Sequence, residues 1–120
     1  MKERYLVLVC GGRDFSDYHA LATFLGQCLP HRPTHILTGG CRGADKLAQT
    51  WAAVAGIPAS TYMADWDRYG KAAGPKRNQA MLDDCQPDLV VAFPGGKGTA
   101  DMIRRARIEE VPVMQWTPHV

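Results

Sequence analysis

Three short segments of this 120-residue chain combine glycine with charged or hydroxyl-bearing residues. They are Gly11-Gly12-Arg13-Asp14, Thr38-Gly39-Gly40-Cys41-Arg42-Gly43 with Asp45 just beyond, and Pro94-Gly95-Gly96-Lys97-Gly98-Thr99. Glycine permits positive φ and lets a ligand approach the main chain. A helix that begins after such a turn presents unpaired N–H groups and about half a positive charge. The chemistry on offer is capture of an anion, and phosphate is the obvious one. Diglycine also makes ordinary tight turns, so no single cluster decides the matter; three on one edge of a sheet weigh toward a site.

The charges point the same way. Arg13, Arg42, Lys46, Arg68, Lys71, Lys76, Arg77 and Lys97, eight of the fourteen Lys and Arg, fall in these turns, in the segment 64–74 or in first helical turns. Arg13, Arg42 and Arg77 can fork onto phosphate oxygens, at about 1.5–3 kcal/mol per well-placed charged hydrogen bond. Asp14, Asp45, Asp65 and Asp67 suit ribose hydroxyls, and equally suit helix capping or a solvated loop. Trp66 offers a flat face to a base, or packs a loop onto the domain. His19, His31, His35 and His119 are dispersed, and Cys10, Cys28, Cys41 and Cys85 show no CxxC spacing, which indicates neither a zinc site nor a disulfide framework. No metal ligand set is expected; a divalent cation such as Mg²⁺ would enter with a phosphate ligand.

The elements that must position these residues follow from periodicity. Tyr5–Cys10, His35–Thr38, Ala59–Met63, Asp88–Phe93 and Val111–Trp116 read as strands. Asp17 caps a helix carrying Leu21, Phe24, Leu25, Cys28 and Leu29. A second helix carries Ala44, Leu47, Ala48, Trp51, Ala52 and Ala55; Pro75 opens a third, and Thr99 to about Glu110 forms a fourth. Segment 64–74 reads as the one long loop. Strand and helix in alternation build a parallel sheet covered on both faces, a Rossmann-like three-layer α/β/α fold with strand order 3-2-1-4-5. Its ligand crevice lies where the winding reverses, between the first and fourth strands. At 13.2 kDa the chain is expected to be one domain, residues 1–120. It has neither a secretory leader pattern nor an apolar run of about 20 residues, so a cytoplasmic location away from membranes is expected. A net charge of +2 does not by itself suggest nucleic acid.

Pro94-Gly95-Gly96-Lys97-Gly98-Thr99, Gly74-Pro75-Lys76-Arg77-Asn78-Gln79-Ala80-Met81 and Thr38-Gly39-Gly40 resemble the SLOG superfamily, which includes the Lonely Guy phosphoribohydrolases. Gly12-Arg13-Asp14-Phe15, Gly40 to Asp45, Asp65-Trp66 and Ala73 to Asn78 are most similar to its small YspA-type branch. The resemblance implies a nucleotide or nucleotide-derived ligand, such as a nucleoside monophosphate or an ADP-ribose-like molecule. It implies binding roles for the glycine turns and for Arg77 and Asn78, and in some relatives a homodimer. Lonely Guy enzymes follow Pro-Gly-Gly-x-Gly-Thr with two residues and then a glutamate, at the position where this chain has Met102; the nearest acid, Asp101, is turned by about 100° on a helix. Three functions follow: a sensor or binding domain; a hydrolase of the N-glycosidic bond using Arg77 and Asp101; and, with less support, a binder of single-stranded nucleic acid.

Overall fold

The computed structural model describes residues 3–118, so His119 lies outside the described residues. Five parallel strands form one sheet, β1 (Leu6–Cys10), β2 (His35–Thr38), β3 (Ala59–Thr61), β4 (Leu89–Ala92) and β5 (Val113–Gln115), in the order 3-2-1-4-5. The central strand sets the two cores. Side chains alternate along a strand, so Val7 and Val9 enter one layer with Leu21, Ile36, Ala48 and Trp51. Leu6 and Leu8 enter the other with Met81, Leu82, Met102 and Ala106. The first layer is closed by α1 (Tyr18–Thr23) and α2 (Ala44–Ala55), the second by α4 (Ala73–Ala80) and α5 (Lys97–Ile108). No helix among the described residues is long and apolar enough to cross a membrane.

Local chemistry sets the ends of these elements. The Asp17 carboxylate accepts from the Ala20 amide at 3.0 Å and starts α1. That helix widens into a π-helical stretch, Phe24–Cys28, and stops at Leu29, which is extended ahead of Pro30. Gly56, at φ +72°, closes α2 by donating to the Ala52 and Ala53 carbonyls.

Two expectations change. Segment 64–74 is not an open loop: the Asp65 carboxylate accepts from the Arg68 amide and nucleates α3 (Trp66–Tyr69). A 3₁₀ turn over Gly70–Ala72 leads directly into α4, which begins at Ala73 and carries Pro75 inside its first turn. Strand β3 ends at Thr61 rather than Met63, because its partner β2 ends at Thr38 and the chain turns away at Gly40, φ +76°.

Candidate functional site

The carboxyl ends of β1, β2 and β4 open onto one cavity of about 620 Å³, inside the span of roughly 300–1,000 Å³ usual for small-molecule sites. Of the residues expected at a site, Gly11, Gly12, Arg13, Gly39, Asp45, Trp66, Arg77, Asn78, Gly96, Lys97, Gly98, Thr99 and Asp101 line it. The three glycine turns therefore do converge.

They are not equivalent in what they leave open. The turn after β2 is already occupied by a protein carboxylate: Asp45 Oδ2 accepts from the Gly39 amide at 3.1 Å and the Cys41 amide at 3.2 Å. Arg77 covers the same turn, donating through Nη1 to the Gly39 carbonyl at 3.0 Å. The turns after β1 and β4 lock onto each other, with the Gly12 amide donating to the Pro94 carbonyl at 2.8 Å. A Cβ on Gly11 would stand 2.6 Å from Ala44 Cβ, so that glycine is required by packing. By contrast, a Cβ on Gly96 or Gly98 would meet nothing within 4 Å. These two flank the start of α5, which has no side-chain cap and no acidic residue in its first turn. Its first amides therefore face the cavity without a carboxylate competing for them.

A hydrogen-bonded chain fixes the wall opposite. Arg77 Nε donates to Asn78 Oδ1, and buried Asn78 donates through Nδ2 to the Gly98 carbonyl at 3.2 Å and to Asp101 Oδ2 at 3.0 Å. Asp101 also accepts from Arg104 at 2.9 Å and Arg105 at 2.8 Å. Burial pushes the Asp101 carboxyl up, but donation from Asn78, Arg105 and Arg104 outweighs it and holds the group below the usual carboxylate range. Asp101 is thus an ionised anchor rather than a proton donor. Burial raises Asp45, opposed by the Cys41 amide, Arg77, the Gly39 amide and Arg13. Burial first, then the Asp45 charge, pushes the Cys10 thiol up to about 12 despite Arg77, which removes it as a nucleophile near neutrality. Met102, at the position of the Lonely Guy glutamate, is buried in the core layer under α5.

Other expected residues lie beside the cavity. Thr38 is buried, and its hydroxyl accepts from Gly40 and from Gln49. Gly40 packs on Thr61 and Met63, and Gly43, at φ +81°, approaches the Gly12 carbonyl. Arg42 turns outward to an exposed pair with Asp14 at 3.3 Å, and Asp65 is spent as the α3 cap. Asp14, Pro94 and Gly95 border a neighbouring hollow of about 570 Å³ that shares Gly12, Arg13 and Gly96 with the first. Of the basic residues near this edge, Arg68 and Lys76 lie over the Tyr69 ring at 5.1 and 4.9 Å, while Arg13, Lys71, Arg77 and Lys97 line the cavity. The Arg13 guanidinium stands 6.0 Å from the half-exposed Trp66 ring.

Sequence reasoning did not assign Val9, Cys10, Gly74, Pro75 or Met81 to the site, and gave Cys41 and Lys71 only as members of a glycine turn and of the basic set, though all of them line it. The signals were available for some of them: the last residues of β1 must face a crevice at its carboxyl end, and Met81 follows Arg77 by one helical turn. Among the described residues no group of three or more His, Cys, Asp or Glu is placed to hold a metal ion.

Fold and cleft together define a doubly wound Rossmann-like domain with its crevice at the β1–β4 switch point. More particularly, the chain belongs to the YspA, cpYpsA-related SLOG family, whose model matches residues 5–69. It is 32% identical over 119 residues to the gene 61 protein of Mycobacterium phage D29, covering 92% of this chain and 94% of that protein. The solved structure of TM1055 superposes with a TM-score of 0.71 at 22% identity, over 91% of this chain and 72% of that one. The molybdenum cofactor binding protein of the phototrophic bacterium Rippkaea orientalis does so with a TM-score of 0.71 at 22% identity, over 96% of this chain and 77% of that one.

Proposed function

We propose that this domain binds a phosphate-bearing, nucleotide-derived small molecule at the carboxyl edge of the sheet, as a binding or sensor domain. The observation that carries the reading is the start of α5. It is a helix amino terminus without cap or acid, flanked by Gly96 and Gly98 with open space beside both, in a cavity also lined by Arg13, Lys71, Arg77 and Lys97. Phosphate oxygens accept from the amides of the first turn of α5, and the cations balance the charge. Trp66 supplies a face for the base. A divalent ion, where present, rides on the ligand's phosphates, as Mg²⁺ commonly does.

Binding is favoured over cleavage of an N-glycosidic bond. That reaction needs a carboxylate free to stabilise an oxocarbenium-like centre and a group to activate water. Asp101 is held by three donors, and Asp45 by two backbone amides. Isothermal titration of the purified protein with AMP, GMP and UMP, each followed for release of base, tests both points. Micromolar to millimolar binding without base release is expected, weakened about tenfold in Lys97→Ala. Absence of binding to every mononucleotide and to inorganic phosphate would overturn the reading.

A further inference from the structure

The amino edge of the sheet, opposite the crevice, holds a separate hollow of about 150 Å³ between the stretch Phe24–Cys28 and α2. Leu25, Gly26, Leu29, His31, Arg32 and Trp51 line it, and none of them lines either hollow at the carboxyl edge. A cavity of this size, about 150 Å³, holds a benzene-sized body.

The indole of Trp51 gives the hollow a polar floor. The residue is only 8% exposed, yet its Nε1–H donates to no atom among the described residues, whereas a buried indole N–H ordinarily finds a partner. None of the unpartnered side-chain nitrogens and oxygens described is sealed from solvent, so this N–H opens into the hollow. Gly26 keeps it open. That glycine stands inside the π-helical stretch Phe24–Cys28 without a positive φ, where glycine is disfavoured. A Cβ there would come no nearer than 3.9 Å to any neighbour, and the nearest atoms are Trp51 Cζ2 and Nε1. Neither backbone nor packing demands glycine at this position; its missing side chain leaves the indole N–H uncovered. π-helical stretches of this kind are frequent at functional sites.

The rim is cationic. Arg32 is anchored through Nη2 on the Ala55 carbonyl at 2.8 Å, where it meets the partial negative charge at the carboxyl end of α2. Its Nε and Nη1 have no partner among the described residues. The His31 ring stands edge-on to Tyr5, 5.2 Å between centroids, and no Asp or Glu lines the hollow. Donors thus meet an apolar wall made by Leu25, Leu29 and the Trp51 ring. One guanidinium matches a single negative charge and would leave a dianionic phosphate half neutralised against that wall.

We propose that this hollow binds a small monocarboxylate with an apolar body of about six carbon atoms. The carboxylate accepts from Trp51 Nε1 and the Arg32 guanidinium, and the body packs on Leu25 and Leu29. The site goes beyond the phosphate reading and stands independently of it.

Benzoate is the probe, and benzamide is its uncharged counterpart of the same shape. Binding is followed at the indole N–H signals of the three tryptophans in proton–nitrogen correlation spectra, with Trp51 identified by elimination in Trp66→Phe and Trp116→Phe. Benzoate is expected to shift the Trp51 signal saturably with a Kd of about 1 mM, and benzamide to bind at least about tenfold more weakly. Gly26→Ala sets a methyl group beside Nε1 and is expected to weaken benzoate at least about tenfold without lowering the melting temperature. Should that variant fold poorly, Arg32→Gln, at an exposed side chain, decides: benzoate weakens about tenfold and benzamide is unchanged. No saturable shift at Trp51 up to about 20 mM benzoate, equal affinity for benzamide, or binding that survives both substitutions overturns the site.

Discussion

At Asp45, burial and hydrogen bonding pull the carboxyl in opposite directions, and burial prevails. A carboxyl whose value is raised on folding contributes fully below its unfolded value of about 4 and loses that contribution as pH rises through the raised folded value. Asp45→Asn retains an oxygen to accept from Gly39 and Cys41 while removing the charge. Urea unfolding at pH 4 and pH 7 is therefore expected to show the variant gaining on the wild type as pH rises. Removal of a negative charge from the cavity should also tighten phosphate binding, on the order of fivefold at an effective dielectric near 20. The glycines invite a paired test. Gly11→Ala overpacks against Ala44 and Phe93 and should cost about 1–3 kcal/mol. Gly96→Ala meets no atom, should leave unfolding nearly unchanged, and should weaken ligand binding measured by calorimetry. In sequence these two glycines look alike, since each belongs to a diglycine after a strand; only the atoms beside them assign one to packing and the other to an open approach.

Among the described helices, α1 and α3 are capped by Asp17 and Asp65 and α2 carries Asp45 in its first turn; α4 and α5 have neither cap nor acid, but α4 runs on from the 3₁₀ turn over Gly70–Ala72, whereas α5 starts directly after a glycine turn. Most of this architecture was legible in advance. The unbroken apolar run of β1 requires cover on both faces, and the stripe through Ala48, Trp51 and Ala52 marks the buried side of α2. The convergence of the three turns then follows from parallel topology alone. What was not legible depends on tertiary partners. The helical path from Asp65 to Ala73 hides behind polar residues and a weak apolar pattern, and the filling of the β2 turn by Asp45 leaves no trace in spacing. The tie between α4 and α5 is of the same kind, for Asp101 gathers Asn78, Arg104 and Arg105 from two helices. Asp101→Asn is expected to destabilise the domain by about 1–3 kcal/mol at pH 7, because it strands partly buried donors. With its carboxyl held below the ordinary range, the wild-type advantage is present above the unfolded value and lost as pH falls through the lowered one. Acid titration followed by circular dichroism should show the two proteins converging there.

For the molecule as a whole, ligand binding and folding are linked, because the cavity is assembled from the ends of β1, β2 and β4 and from α4 and α5, and it disappears when the sheet does. A ligand that binds only the folded state at about a hundred times its Kd adds about 2.7 kcal/mol. For a domain of this length each kcal/mol moves the melting midpoint by about 3–6 °C, so a saturating nucleotide should raise Tm by about 8–16 °C. Ionic strength then distinguishes a small-molecule site from a nucleic-acid track. A mononucleotide meets only the few cations of one cavity, and its shift should survive most of the passage from 50 to 200 mM salt. A protein that neutralises six to ten backbone phosphates loses about 10³–10⁵ in affinity over the same range. The net charge of only +2, with Arg42 paired to Asp14, is small for such a track. A thermal shift produced by oligonucleotides and not by mononucleotides, and erased by 200 mM salt, would reverse that assignment.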